Sequence, residues 1–275
     1  MLLPVTTRIL KKSENERLAI MIITGSSNEY IKHIKKLQTK KQYRTEEKAF
    51  VVEGLKPVCE SLQFAKKLIV SENFDMSQIN KKIPCETVFV SQNIFEKISD
   101  TQTPQGIMAE VAAVDCPLEE ILCGKTGLVI FCDRVSDPGN LGTIIRTADA
   151  AGFDGVILNS GCTDLYNPKT VRSTMASVFN IKIHITDNNE TTVNSLKQRG
   201  YTVFGSRLED SQSVFDAPFN SKSAIIVGNE AQGIDKNLLT MCDKYVKIPM
   251  LGKAESLNVG AASAVLMYEA LRRRL

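Results

Sequence analysis

The sequence predicts an α/β protein in two parts, a smaller N-terminal α/β unit and a C-terminal, mostly parallel sheet flanked by helices. Three observations carry that expectation. Short apolar runs alternate with helix-patterned segments from residue 49 to the end, and such alternation builds parallel sheets covered by helices. Glycine-marked loops fall at the ends of three predicted strands in the second part, where sheets of this kind bind ligands. Charge divides the chain as well: residues 1–110 hold 17 basic against 13 acidic side chains, and residues 111–275 hold 17 against 18.

At 275 residues, 43% hydrophobic and 24% charged, the chain has the composition of a soluble globular protein with a sizeable core. No apolar run is long enough to span a bilayer, and the start MLLPVTTRILKKSENER lacks a sustained apolar signal core. A cytoplasmic location is the expectation. Seven cysteines form no C-x-x-C pair and only two histidines accompany them, so reduced, mostly buried thiols are expected and no metal site.

Residues 1–25 carry no clear periodicity and read as a tail of unknown order. Residues 26–111 read as one unit. Ser26, Ser27 and Asn28 offer N-caps for a helix with Ile31, Ile34 and Leu37 on one face. Between Lys32 and Lys48 stand seven cationic residues against Glu46 and Glu47, with Tyr43 among them. A face so sparsely countered suits a polyanion, with Lys35, Lys36, Lys40, Lys41 and Arg44 as the phosphate contacts, because neutralised phosphates release counterions; a merely solvated face is the alternative. AFVVEG, KLIVS, ETVFVS and GIMAEV follow as strands with short helices between them. Residues 112–126 read as a linker and residues 127–275 as the second α/β series.

That series opens with LVIFCD. A helix is predicted from Asn140, its expected N-cap, to Ala151, and then GVILN, a helix near 169–177, IKIHIT, a helix near 189–199, YTVFGS and SAIIVG. Tyr245 to Met250 alternates as a strand that Pro249 ends. Ser256 is the expected N-cap of a last helix from Leu257 to Arg273. His184, inside IKIHIT, reads as a packed or edge histidine rather than a catalyst.

The first of the three loops is DRVSDPGNLGTIIRTADAAG, where Arg146 falls among Ile144, Ile145 and Ala148 and needs an anionic partner or a path to solvent. In IIVGNEAQGI, Gly228 and Gly233 permit close backbone approach and Glu230 is a carboxylate on a loop beside a predicted cleft. In IPMLGKAESLNVG, small residues precede a helix N-terminus with free N–H donors. No G-x-G-x-x-G occurs, and Gly124 to Thr126 is no P-loop because Glu119 stands where its first glycine belongs.

Taken in order, these three loops resemble the motifs of the SpoU family of S-adenosylmethionine-dependent RNA ribose 2′-O-methyltransferases, TrmH-like members of the SPOUT superfamily. Residues 26–111, ending in TQTPQGIMAEV, are similar to that family's ribosomal-protein-like substrate-binding domain. Gly260 departs from the pattern, since many relatives carry Ser or Ala there. The resemblance implies a deep trefoil knot, a homodimer whose subunits complete each site, and S-adenosylmethionine held against Gly228, Ile248 and Leu257, with Met250 and Asn258 close by. It also implies that Arg146 acts on the 2′-hydroxyl, either as a base or by binding phosphate and stabilising developing oxyanion charge. The first role is demanding, because arginine is almost always protonated. Asn140, Glu230, Ser256 and Asn258 would orient substrate and loops. Ribosomal RNA is the expected substrate, with transfer RNA still open. Two other readings stand beside this one: a noncatalytic RNA-binding or ribosome-assembly protein on the same fold, and a base methyltransferase of the wider superfamily.

Overall fold

A computed structural model of the chain describes residues 5–13, 16–219 and 221–275, with side chains from residue 21 onward. It divides into two compact units, Met1–Ala113 with Tyr166–Pro168, and Val114–Leu165 with Lys169–Leu275.

In the first unit, β1 (Val5–Ser13) and β2 (Glu16–Ile23) form an antiparallel hairpin where no periodicity is legible in the sequence. Residues 1–4, 14 and 15 of that stretch lie outside the described residues. The unit continues through α1 (Glu29–Thr39), α2 (Lys41–Glu47), β3 (Ala49–Glu53), α3 (Leu55–Ser61), β4 (Ala65–Ser71), β5 (Glu86–Val90), α4 (Gln92–Ile98) and β6 (Ile107–Ala112). Its sheet has the order β1-β2-β5-β4-β6-β3. Asn28 caps α1, its side chain accepting from the Tyr30 N–H, and Ile31, Ile34 and Leu37 face a core shared with Ile69, Phe95 and Met108. The basic run is two helices rather than one. Lys40 is extended at φ −118° and breaks the chain between α1 and α2.

The second unit holds α5 (Leu118–Leu122), β7 (Leu128–Cys132), α6 (Pro138–Ala150), β8 (Gly155–Asn159), α7 (Pro168–Ser173), β9 (Ile183–Thr186) and α8 (Asn189–Gln198). It then runs through β10 (Thr202–Ser206), β11 (Gln212–Ser213), β12 (Ser223–Val227), α9 (Lys236–Thr240), β13 (Lys244–Lys247) and α10 (Val259–Arg272). Its seven strands are all parallel, in the order β11-β13-β10-β12-β7-β8-β9. The core joins Val129, Phe131 and Ile157 to Val203, Ala224 and Ile226. Residues 112–126 do more than link: Cys116, Leu118, Ile121 and Leu122 are buried in that same core. His184 sits on the edge strand β9 with Nδ1 2.9 Å from the Cys116 carbonyl. All seven cysteines are free, and Cys116, Cys132 and Cys162 are buried.

The sheet order places the site. From β7 the chain builds outward to β8 and β9, then returns to the other side through β10 and β12, so β7 and β12 flank the switch point where crevices open. The Asp133 N–H donates to the Val227 carbonyl at 2.8 Å, which brings the loops after β7 and β12 together.

Candidate functional site

The loop after β7 turns into α6 through Asp137 and Pro138. Asp137, not Asn140, is the N-cap: its Oδ1 accepts from the Asn140 N–H at 2.8 Å, and Pro138 occupies the first helical turn where no N–H is needed. That hydrogen bond also holds the Asp137 carboxyl below its ordinary value. The Asn140 side chain is thereby released from capping. Its Nδ2 donates to Glu230 Oε1 at 3.0 Å, and its Oδ1 accepts from Asn258 Nδ2 at 2.8 Å.

Asn258 is the N-cap of α10, where Ser256 is expected from the sequence, and the helix starts at Val259. Its Oδ1 accepts from the Gly260 N–H at 2.9 Å and the Ala261 N–H at 3.3 Å. With its oxygen turned to the helix, its Nδ2 must face away, toward Asn140. Each amide therefore fixes the next, from the helix start to Glu230. Ser256 takes no part in this chain. The predicted strand before it is also shorter, Lys244–Lys247, and residues 248–258 are irregular.

Glu230 collects four donors: Asn140 Nδ2, Ser136 Oγ at 2.8 Å, the Ser136 N–H at 3.2 Å and the Asp137 N–H at 3.2 Å. Burial by itself pushes this carboxyl up, but the Asn140 and Ser136 donors together outweigh it and hold the group at about 2. A carboxylate so committed is a weak base. It serves to order the loops. Ser136 and Asp137 were not among the expected site residues, and the sequence signal for them is their place just before the Pro138–Gly139 turn.

Arg146 is not gathered into this cluster. It stands exposed on α6, six residues and about 120° around the helix from Asn140, and no carboxylate or carbonyl holds it among the described residues. Its apolar sequence neighbours Ile144, Ile145 and Ala148 are buried on the other faces, so the guanidinium reaches solvent.

A cavity of about 130 Å³ opens at the carboxyl ends of β10 and β13. Ile248, Met250, Ser256 and Leu257 line it, with Leu208 and Leu266 opposite in sequence and apolar in character. Among the described residues, the backbone groups of 248–257 make no hydrogen bond, which leaves them free to read the polar edge of a ligand. Gly228 and Asn258 lie outside this lining. Gly228 has a different constraint: a Cβ there would fall 2.2 Å from the Gly233 carbonyl carbon and the Ile234 nitrogen. Only glycine permits the β12 loop to close on itself at that point. Gly260 is less constrained, since a Cβ would meet the Asn258 Oδ1 at 3.1 Å and Thr143 of α6 at 3.3 Å.

In the first unit, Lys35 and Lys36 of α1, Lys40 between the helices and Lys41 of α2 are exposed, and the Lys36 ammonium lies 5.3 Å from the Tyr43 ring centre. Arg44 departs from expectation. It is 5% exposed, and its Nη1 donates to the Leu37 carbonyl at 2.6 Å and the Gln38 carbonyl at 3.1 Å, so it closes the end of α1 and is withdrawn from any phosphate. Among the described residues, no cluster of His, Cys, Asp and Glu suits a metal ion, and no helix is long and apolar enough to cross a membrane.

Comparison with known proteins agrees with this fold. Residues 127–268 match the SpoU rRNA Methylase family and residues 28–109 an MRM3-like substrate binding domain. The chain is 38% identical over 250 residues to the 23S rRNA (guanosine(2553)-2′-O)-methyltransferase RlmP of Bacillus subtilis (strain 168), covering 90% of this chain and 97% of that protein. It is 27% identical over 279 residues to the 23S rRNA (uridine(2479)-2′-O)-methyltransferase of Streptomyces viridochromogenes, covering 97% of each. Among solved structures, the AdoMet-bound rRNA methyltransferase from Sinorhizobium meliloti superposes with a TM-score of 0.84 at 33% identity, covering 92% of this chain and 98% of that one. The SpoU methyltransferase AviRb from Streptomyces viridochromogenes, in complex with the cofactor AdoMet, gives 0.82 at 26%, covering 90% and 98%. An all-parallel sheet with its polar loops at the switch point, matched over nearly its whole length by such enzymes, places this chain in the SpoU rRNA methylase family.

Proposed function

We propose that this chain transfers a methyl group from S-adenosylmethionine to a ribose 2′-hydroxyl of ribosomal RNA, 23S rRNA in the first instance. The observation that carries the reading is the Asn258–Asn140–Glu230 chain beside an apolar cavity at the strand ends, on a fold whose relatives bind AdoMet. The cavity fits the cofactor's mixed character: Ile248, Met250 and Leu257 offer apolar surface for an adenosine, and the unpaired backbone of 248–257 offers donors and acceptors for its edge. Bound there, the cofactor supplies an already activated sulfonium methyl. The protein's task is alignment and charge.

Glu230, Asn140 and Asn258 hold the three loops in register so that the ribose meets the methyl at a fixed angle. Arg146, exposed and unpartnered among the described residues, binds an RNA phosphate and stabilises charge that develops on the 2′-oxygen. The resemblance to the SpoU family, rather than the placement of Arg146, supports the rest of this proposal: a homodimer in which a second copy of the chain completes each site, and a trefoil knot through the 228–258 loops. Lys35, Lys36, Lys40 and Lys41 grip the RNA backbone. The cytoplasm, where ribosomal RNA is made and thiols stay reduced, is the matching location.

The test is incubation of the purified protein with labelled S-adenosylmethionine and total RNA from a strain lacking it, followed by nucleoside analysis of separated RNA species. A 2′-O-methylated nucleoside in 23S rRNA is the expected product, and Arg146→Ala is expected to lower transfer at least about 100-fold with RNA retained. Transfer by Arg146→Ala near the wild-type rate removes Arg146 from the chemistry. A methylated base in place of a methylated ribose points to the wider superfamily's other reaction.

A further inference from the structure

A second polar network lies in the same loops and is not used by the reaction as described. Asp133, at the end of β7, is completely buried. Its carboxylate accepts from Asn159 Nδ2 at 2.6 Å, from the Asp235 N–H at 2.7 Å and from the Arg134 guanidinium at 3.1–3.3 Å. Anchored on this charge, Arg134 reaches across to the loop after β12. Its Nη1 donates to Gln232 Oε1 at 3.1 Å and its Nη2 to the Gly233 carbonyl at 3.3 Å, while its own carbonyl accepts from Asn229 Nδ2 at 2.9 Å.

The turn from Asn229 to Gly233, which carries Glu230, is thus held by both the side chain and the main chain of one residue. Two positions further on, Ser136 presents its N–H and hydroxyl to that same Glu230. Arg134 therefore sets both sides of the contact. Its backbone is left-handed, at φ 55°, a conformation that costs a non-glycine residue energy and persists only where surrounding contacts enforce it. A guanidinium suits the task because its planar fork donates to the buried Asp133 carboxylate and to the Gln232 and Gly233 oxygens at once, which an ammonium cannot do.

We propose that Arg134 is a positioning residue for the methyl-transfer site: anchored on buried Asp133, it holds the 229–233 turn so that Glu230 meets Ser136, Asp137 and Asn140. The inference rests on the reading that Glu230 orders that site.

The experiment uses the full chain with ¹³C-carboxyl-labelled glutamate, the Glu230 resonance being assigned by its loss in Glu230→Gln. Two variants remove the fork: Arg134→Lys keeps the charge beside Asp133, and Arg134→Gly relieves the left-handed backbone so that the loop still folds. In the wild type Glu230 is expected to stay ionised from pH 8 to pH 4, since its donors hold it at about 2. In both variants its titration is expected to rise into that window, toward the ordinary value of 4.5. The initial rate of methyl transfer to a 23S rRNA transcript at saturating S-adenosylmethionine is expected to fall about tenfold. Glu230 remaining ionised at pH 4 in both variants overturns the positioning role, whatever the rate does. A Glu230→Gln protein that transfers methyl at the wild-type rate instead removes Glu230, and with it Arg134, from the reaction, while the titration still shows whether the two are coupled.

Discussion

At the scale of single residues, Asn258 carries two separable jobs. Its oxygen caps α10 through the Gly260 and Ala261 N–H groups, and its nitrogen orients Asn140. An aspartate keeps the first and loses the second, because a carboxylate accepts but does not donate. Asn258→Asp is therefore expected to melt within about 1–2 °C of the wild type and to lose methyl transfer. Asn258→Ala loses the cap as well, at a cost of about 1 kcal/mol or roughly 2–4 °C. Thermal denaturation beside a transfer assay separates the two effects. Equal melting temperatures for the two variants would mean that the cap contributes nothing.

At the scale of elements, strain is concentrated between α7 and β9. Met175 and Ala176 are both left-handed, at φ 50° and 78°, and neither is glycine. The segment from Thr174 to Ile181 is stitched by short-range backbone bonds, among them the Ser177 N–H to the Thr174 carbonyl at 3.0 Å, which hold the turn despite that cost. This is also why the helix expected near 169–177 stops at Ser173. Glycine adopts φ 50° without a Cβ penalty and Met175 is exposed, so Met175→Gly is expected to stabilise the protein by about 1 kcal/mol, net of the freedom glycine adds to the unfolded chain. A urea titration with unchanged slope and a higher midpoint would show it. An unchanged or lower midpoint would mean that the turn relaxes elsewhere.

At the scale of the whole molecule, the cationic residues of the first unit divide into surface and scaffold. Replacing Lys35, Lys36, Lys40 and Lys41 with glutamine is expected to weaken RNA binding and to reduce the slope of log affinity against log salt by about 3, since each lost phosphate contact removes roughly 0.7–0.9. Arg44→Gln should leave that slope unchanged. It removes a buried guanidinium that closes α1, and its expected signature is a loss of about 1–3 kcal/mol of stability, read by denaturant unfolding. A slope that falls for Arg44→Gln as it does for a lysine would return Arg44 to the RNA face.

Periodicity and glycine placement made the parallel α/β sheet and its three site loops legible in the sequence, because strand and helix patterns are local and strand ends are where such sheets bind. The fine geometry was not local. Asn140 and Ser256 read as caps by position, yet Asp137 and Asn258 take those roles, since a cap is decided by which side chain can reach the free N–H groups once the loop is closed. Arg44 read as one cation in a basic run, and only packing of α2 against the end of α1 shows that it is buried. The hairpin β1–β2 left no periodic signal, and its place beside β5 depends on a partner strand far along the chain. The sequence by itself determined the fold class and, through its likeness to the SpoU motifs, singled out Asn140, Glu230 and Asn258, though not Ser136 and Asp137 beside them. Tertiary structure alone decided which of them touch, because Asn140 lies 90 positions from Glu230 and 118 from Asn258 and the sheet order brings their loops together.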